Sequence, residues 1–547
     1  MGDAKRQEDP ADSALARAGW QPLLFADRLS RAALLGLQPS WPCAPVRLRV
    51  HRNQAFEFVA SVLPPFLWFQ ALSPDIVYGD YDDSLAFPTA GDADVELVWL
   101  DYERFAVDDL AGLVVDRVAA LRTRTRGPIL VVDRPGDAKF NADLTRGLAG
   151  VPGARAWAVS SVAEALGDRY RDARAAKITG MPLSDAACLR IARDLGTRWL
   201  PPALNPRIKA IALDLDHTLY DGVLGEDGPE RIALTPEHSA LQRDLLALRE
   251  SGMFLAILSR NEGADVDALF ESRADFPLRP EHLSARSVSW GAKADGIRDI
   301  AAALNIAPDA VLLIDDNPGE LAQVAAAIPG IRLLHASAPD ATRRALATYP
   351  GLWGYAAGAT DALRLADLAA NTERDALARE AHDPVAYLRS LGATLTLALD
   401  PRDQVARVHE MSRKTNQFNT ALKRYSEADL DAILADPEAR IVTMALADRL
   451  SDSGIIGFLA AHRAGDRVVV DELCVSCRAL GRGIEDIAIT EALRRVLTDL
   501  PAPAVEFAMV EGPRNAPARE WLARYPVDAA SGPPAADLPV TIRWSDE

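Results

Sequence analysis

The stretch IALDLDHTLYDGVLGEDG, residues 211–228, places two aspartates one residue apart at the end of an apolar run. A carboxylate in an apolar strand is costly unless it is paired, hydrogen-bonded or metal-bound, and two so close also repel each other. Asp214 and Asp216 therefore demand something positive between them. Further along lie Ser259 at the close of LAILS, Lys293 in WGAKADG, and the pair Asp315 and Asp316 in LLIDDNP. Taken singly, DLD also reads as an Asx turn and DDNP as a surface turn. Taken in order, they combine carboxylates, a lysine and a serine.

The elements around them explain the spacing. IKAIALDLD reads as a strand, HSALQRDLLALRESG as a helix, MFLAILSRN as a strand, ADGIRDIAAALNI as a helix and AVLLIDDN as a strand. Each of these polar residues falls at or just past a strand's C-terminal end, apart from Lys293 before its helix. Open α/β sheets bind ligands at that edge, so the pattern predicts one shared site.

The ordered set resembles the four motifs of the haloacid dehalogenase (HAD) superfamily. That resemblance implies Asp214 as a nucleophile that becomes an aspartyl phosphate, and Asp216 as general acid and then base. Thr218, Ser259 and Lys293 are implied to hold the phosphoryl group. Magnesium is implied on Asp214, Asp315 and the backbone carbonyl of Asp216, with Asp316 in support. The runs TLYDGVLGEDG and LIDDNPGELAQV are similar, more narrowly, to the FkbH-like branch, which serves polyketide assembly lines. Members of that branch read DLDNTLWGGVIGEDG, so His217, Tyr220 and Asp221 are departures. A carboxylate at Asp221 near the phosphate site works against an anionic substrate.

The likeness continues through MSRKTNQFNTALKRYSEADL, DRLSDSGIIG and ELCVSCRALGRGIED, in the order of the family's acyltransferase-like half. Within the last, Arg478, Gly481 and Gly483 have the R-x-x-G-x-G spacing of the pyrophosphate loop of GCN5-related acetyltransferases (GNAT). Glycines let backbone approach phosphate, and a helix starting near Ile484 turns its amides toward an anion. Cys477 sits just before this loop, beside Arg478 and Arg482, where a thiolate is favoured. The family's matching cysteine carries an acyl thioester. Cys474 and Cys477 also form C-x-x-C, open to a zinc or redox reading, although no second ligand pair of suitable spacing follows. Cys474 reads as a buried structural cysteine. Asn416, Gln417 and Asn419 suit an acyl or pantetheine amide equally as well as a helix-ending polar loop. His409 and His462 fall in no pattern that singles them out.

Upstream, VRLRVHRN, DVELVWLDYERF, GPILVVDRPG and ARAWAVSS alternate with helical runs such as LAGLVVDRVAALRTR, which predicts another α/β domain with a parallel sheet. It resembles the degenerate SGNH-hydrolase-like module of long family members, notably in SPDIVYGDYDDSLAF and ITGMPLSDAACLRIARDLG. It has no G-D-S near its first strand and no late histidine in RDARAAK, so a structural or docking role is expected. LGTRWLPPALNPRIKA, with its prolines, reads as a linker ending near residue 207.

The resulting organisation is a multidomain α/β chain. It has a polar tail (1–15), an SGNH-like α/β domain (16–206), a Rossmann-like HAD domain with a parallel sheet (207–340), a helical connector (341–386) and a GNAT-like α/β domain (387–547). The length of 547 residues fits several such domains. A formal net charge of −18 argues against a nonspecific nucleic-acid surface. No apolar run approaches the ~20 residues that cross a bilayer, the N-terminus lacks a signal-like core, and a cytoplasmic location is the default expectation. Four cysteines, Cys43, Cys188, Cys474 and Cys477, make no disulfide framework.

The resemblance implies a bifunctional enzyme. A three-carbon glyceryl unit from a small phosphorylated acyl donor, 1,3-bisphosphoglycerate, would load onto Cys477 and lose its remaining phosphate at Asp214. It would then pass to the phosphopantetheine of an acyl carrier protein. Two alternatives stay open: a HAD phosphatase fused to a coenzyme A-dependent transferase acting on a sugar or peptide, and a non-catalytic scaffold.

Overall fold

The computed structural model describes residues 10–545 except 89, 90, 92, 180, 206, 356–369, 371, 372, 375, 376, 378–382, 416, 477, 478, 481–483, 513, 514 and 526–538. The chain forms two compact units, residues 1–357 and 358–547.

The first unit holds two sheets. One contains β1 (Ala44–Arg52), β2 (Leu72–Tyr81), β3 (Val95–Trp99), β4 (Ile129–Val132) and β5 (Ala154–Trp157), in the order β2-β1-β3-β4-β5. The other contains β6 (Ala210–Leu213), β7 (Phe254–Ser259), β8 (Ala285–Val288), β9 (Val311–Asp315) and β10 (Arg332–His335), in the order β10-β9-β6-β7-β8. All their pairings are parallel. Continuous apolar runs such as ILVV of β4 and AIAL of β6 are buried at every position, as expected of strands covered on both faces.

In each sheet the winding direction reverses between two central strands, which opens a crevice at their carboxyl ends. In the first sheet that crevice lies between β1 and β3 and Asn53 bridges it, donating from Nδ2 to Asp101 O at 3.2 Å and accepting from Asp101 N at 2.6 Å. The same two strands bury a His51–Glu96 contact of 2.9 Å. In the second sheet the crevice lies between β6 and β9, and there Asp214 follows one strand while Asp315 ends the other.

Two features depart from the sequence expectation. A helix, Pro10–Leu24, begins inside the expected polar tail. Its Gln21 donates to Leu333 O at 3.1 Å and accepts from His335 N at 3.0 Å, so one amide satisfies the free edge of β10. Covered edges do not recruit foreign strands. The proline-rich segment read as a linker is a buried helical extension instead: Leu195, Gly196 and Thr197 are buried, and the Gln70 amide donates to Gly196 O at 2.8 Å. Pro201 opens the short helix Pro201–Leu204, where its missing N–H costs nothing. A side chain at Gly196 would meet Phe66 Cβ at 2.7 Å.

The second unit is built on β11 (Thr394–Leu399), β12 (Ala439–Ala447), β13 (Asp452–Ala464), β14 (Arg467–Val475), β15 (Ala504–Phe507) and β16 (Thr541–Trp544), ordered β15-β14-β13-β12-β11-β16. β11 to β14 pair antiparallel, whereas β15 and β16 join parallel at the two edges. β14 pairs with β15 only over Arg467–Val470. Beyond that, the segment around Phe418–Thr420 takes over its edge, with Val475 N on Phe418 O at 2.9 Å and Thr420 N on Leu473 O at 3.1 Å. Most of the expected connector, 341–386, lies outside the described residues. No described helix is long and apolar enough to cross a membrane.

Candidate active site

The carboxyl ends of β6, β7 and β9 bring together Asp214, Ser259 and Asp315, and Lys293 enters as the first residue of the helix Lys293–Ala303. All four are buried, at 7%, 2%, 0% and 5% exposure, so their charges must answer one another. Lys293 Nζ stands 3.1 Å from Asp214 Oδ1 and 2.5 Å from Asp315 Oδ2. This is the positive group that the adjacent aspartates require. Burial pushes the Asp214 carboxyl upward, Lys293 opposes that, and Asp315 adds to it. Burial also works against the Lys293 ammonium, but the two carboxylates outweigh it and raise its pKa, so Lys293 stays charged.

One ammonium against two buried carboxylates leaves negative charge over. Asp316 adds to it, and Asp214, Asp315 and Asp316 each offer an oxygen within 4.8 Å of the others. Hard oxygen donors around surplus negative charge fit magnesium. The Asp216 carboxylate is not in this cluster; only its backbone carbonyl was expected to ligate.

The Asp216 carboxylate is instead held by three donors. Tyr220 Oη donates to Oδ1 at 2.6 Å, Leu224 N donates to Oδ1 at 3.0 Å, and Asn261 Nδ2 donates to Oδ2 at 2.9 Å. Asn261 Nδ2 also lies 3.0 Å from Ser259 Oγ. Thr218 is buried beside them, and its Oγ1 has no partner among the described residues. His217 adopts a positive φ of 52°, turning the chain just after Asp216. Asp221 is exposed, 3.4 Å from His217 Nδ1, and its backbone bridges to Ala233.

Asn261 and Tyr220 went unread in the sequence. Asn261 had a usable signal, since it lies two residues past a strand end already marked by Ser259. The departure at Tyr220 was visible, but its phenol's target was not. Arg260, paired with Glu320 at 2.8 Å, likewise links the loops after β7 and β9.

In the second unit, Cys477, Arg478, Gly481, Gly483 and Asn416 lie outside the described residues. Gln417 is half-buried on a bend. Asn419 is fully buried: its Oδ1 accepts from Leu422 N at 2.6 Å and its carbonyl accepts from Asn515 Nδ2 at 3.0 Å, while its own Nδ2 has no partner among the described residues. The loop is pinned by Glu472, a buried carboxylate that accepts from Thr420 N at 2.9 Å, Thr420 Oγ1 at 3.1 Å, Ala421 N at 3.0 Å and Lys423 N at 2.7 Å. Glu472→Ala strands those donors and should lower the unfolding free energy by about 3 kcal/mol or more. Chemical denaturation of the full chain checks this; a loss below about 1 kcal/mol would mean that the loop holds itself.

Cys474 is fully buried on β14, with Sγ 3.7 Å from Met411 O, and burial pushes its thiol up to about 12. A thiol so raised stays protonated near neutrality and is a poor nucleophile. Iodoacetamide at pH 8 should therefore leave Cys474 unmodified until urea unfolds the chain, as read by peptide mass mapping. Alkylation at the rate of a free cysteine in the folded chain would contradict this. His462 Nδ1 contacts Asp471 Oδ2 at 2.5 Å and His409 Nδ1 donates to Tyr425 O at 2.7 Å.

No protein-family model matches the chain, and no curated protein matches it. Two solved structures align with it. One is the N-terminal part of a Bacteroides fragilis protein, containing a phosphatase domain and complexed with magnesium, at 18% identity and a TM-score of 0.42 over 59% of this chain and 93% of that one. The other is a fungal multi-domain β-N-acetylglucosaminidase with a GCN5-related glucosamine N-acetyltransferase region, at 14% identity and a TM-score of 0.18 over 94% of this chain and 67% of that one.

Proposed function

We propose that the first unit carries a magnesium-dependent phosphatase site and that the second transfers an acyl group through Cys477. The observation that carries the phosphatase reading is the buried Asp214–Lys293–Asp315 bridge at the β6/β9 crevice, with Asp216 held in place two residues on. Asp214 attacks phosphorus, a bond forms from its carboxylate to phosphorus, and the bond to the leaving oxygen breaks as Asp216 gives that oxygen a proton. Asp216 then takes a proton from water, which attacks the aspartyl phosphate and releases inorganic phosphate. Lys293 neutralises charge on the phosphoryl oxygens, and Ser259 and Thr218 offer hydroxyl donors to it. Tyr220 and Asn261 fix the direction of the Asp216 carboxyl. Magnesium, held by Asp214, Asp315 and Asp316 with the carbonyl of Asp216, supplies charge neutralisation at the phosphoryl group.

The acyl half rests on the order of sequence motifs. Cys477 thiolate attacks the acyl carbon of 1,3-bisphosphoglycerate, a thioester forms, and the activating phosphate leaves. The distal phosphoester is hydrolysed at Asp214. The glyceryl group then passes to the phosphopantetheine thiol of an acyl carrier protein, a near-isoenergetic exchange governed by positioning.

Intact-protein mass spectrometry after incubation with magnesium and 1,3-bisphosphoglycerate tests both halves. The native chain should carry a glyceryl adduct, Asp214→Asn a phosphoglyceryl adduct, and Cys477→Ala none. No adduct on any form, with phosphate release intact, would sink the cysteine route and favour the coenzyme A-dependent transferase.

A further inference from the structure

The buried pocket accounts for a phosphoryl group but not for what lies beyond it. At its rim, Trp290 stands three residues before Lys293, within about 10 Å along the chain. Its ring is 66% exposed, more than any other described large hydrophobic residue. It is nevertheless fixed in place: the indole Nε1 donates to Glu262 Oε1 at 2.6 Å, and the adjacent Ser289 N donates to Ser259 O at 3.1 Å. Glu262 comes from the loop after β7, three residues past Ser259. Two loops that each supply a phosphoryl-binding side chain are thus joined over the rim by one indole hydrogen bond, with the aromatic face left to solvent. Single exposed apolar residues are ordinary on protein surfaces. An exposed tryptophan whose polar atom is tied to a second loop of the site is a platform with one orientation.

The charges nearby add a second constraint. Glu262, Asp216, Asp221 and Asp316 lie on the loops around the pocket. The cations among them are engaged: Arg260 with Glu320 at 2.8 Å and His217 with Asp221 at 3.4 Å. A phosphoester that also carries a free carboxylate meets repulsion there. One whose carboxyl is tied up as a thioester does not, and its long, uncharged arm has an aromatic face to cross.

Resting on the phosphatase reading above, we infer that Trp290 and Glu262 are specificity-determining residues that select a phosphoacyl thioester on a pantetheine-like arm over the free phosphorylated acid. Trp290 supplies contact to the arm, and Glu262 both orients the ring and repels a free carboxylate.

The test is steady-state phosphate release by the full chain with magnesium, comparing 3-phosphoglyceryl pantetheine thioester with 3-phosphoglycerate. Trp290→Ala should lower the ratio of their kcat/KM values, thioester over acid, about tenfold through loss on the thioester, and Trp290→Phe should restore most of it. Glu262→Gln keeps an acceptor for the indole but removes the charge, and should lower the ratio about fivefold through a gain on the acid. Equal effects on both substrates, or an unchanged ratio, would overturn the inference. Quenching of the Trp290 emission by the thioester is read separately as the difference between Asp214→Asn and Asp214→Asn/Trp290→Phe. If the native chain hydrolyses neither compound, the phosphatase reading fails, and that quenching, present or absent, still decides the platform.

Discussion

Asp214→Asn should reduce magnesium-dependent phosphate release by roughly 10⁴-fold or more while leaving the chain folded. The amide has the shape of the carboxylate but cannot form the bond to phosphorus, so the covalent route closes and only slow attack by water remains. The fold should tolerate the change for an electrostatic reason. Asp214 is one of two buried carboxylates sharing a single ammonium, and Lys293 keeps its shorter contact, 2.5 Å to Asp315, when Asp214 becomes neutral. Removing the surplus charge leaves a one-to-one pair, so metal-free thermal stability should hold steady or rise. The paired readout matters: activity lost together with the folded state would say nothing about the nucleophile. Activity within about tenfold of native in a folded variant would place the attacking group elsewhere.

The residues of this site differ in how far sequence reveals them. Asp214, Ser259 and Asp315 were legible because each is a polar residue interrupting an apolar run, and apolar runs of that length mark the strands whose ends build sites in open α/β sheets. Lys293 followed from the demand of paired carboxylates for a cation. Asn261 and Tyr220 were not assigned, since their part consists in facing Asp216 from two directions, which only the folded turn after β6 creates. Gln21 is beyond sequence reasoning altogether: its partner Leu333 is 312 residues away, and a lone glutamine on a helix carries no pattern. The prolines near residue 201 misled for a local reason. Proline breaks a helix from within but opens one from the front, and LPPAL does the second. In the second unit the alternation of strands and helices was readable, but the parallel addition of β15 and β16 at opposite edges depends on long-range pairing that periodicity does not encode.

Lys293→Met should show the converse of Asp214→Asn, with stability and activity falling together and magnesium restoring part of the first. Methionine fills similar space, so the loss is chiefly one of charge: Asp214 and Asp315 remain buried without the ammonium that bridges them. Removing one partner from a buried ion pair typically costs 3–5 kcal/mol, so a metal-free loss of about that size is expected. Magnesium is attracted by the same surplus charge that now destabilises the fold. A ligand that binds only the folded state at about 100 times its Kd adds roughly 2.7 kcal/mol, so magnesium should raise the Tm of the native chain and raise that of Lys293→Met by more. Catalysis should not recover with it. Lys293 acts on the transferring phosphoryl group as well as on the resting carboxylates, and loss of such a preorganised donor costs on the order of 10²–10³-fold in kcat. A Lys293→Met chain as stable as native without metal would mean that the carboxylates are hydrated or protonated. A Tm indifferent to magnesium in both chains would remove the metal from Asp214, Asp315 and Asp316, and with it the assignment of this crevice as a magnesium-dependent phosphoryl site.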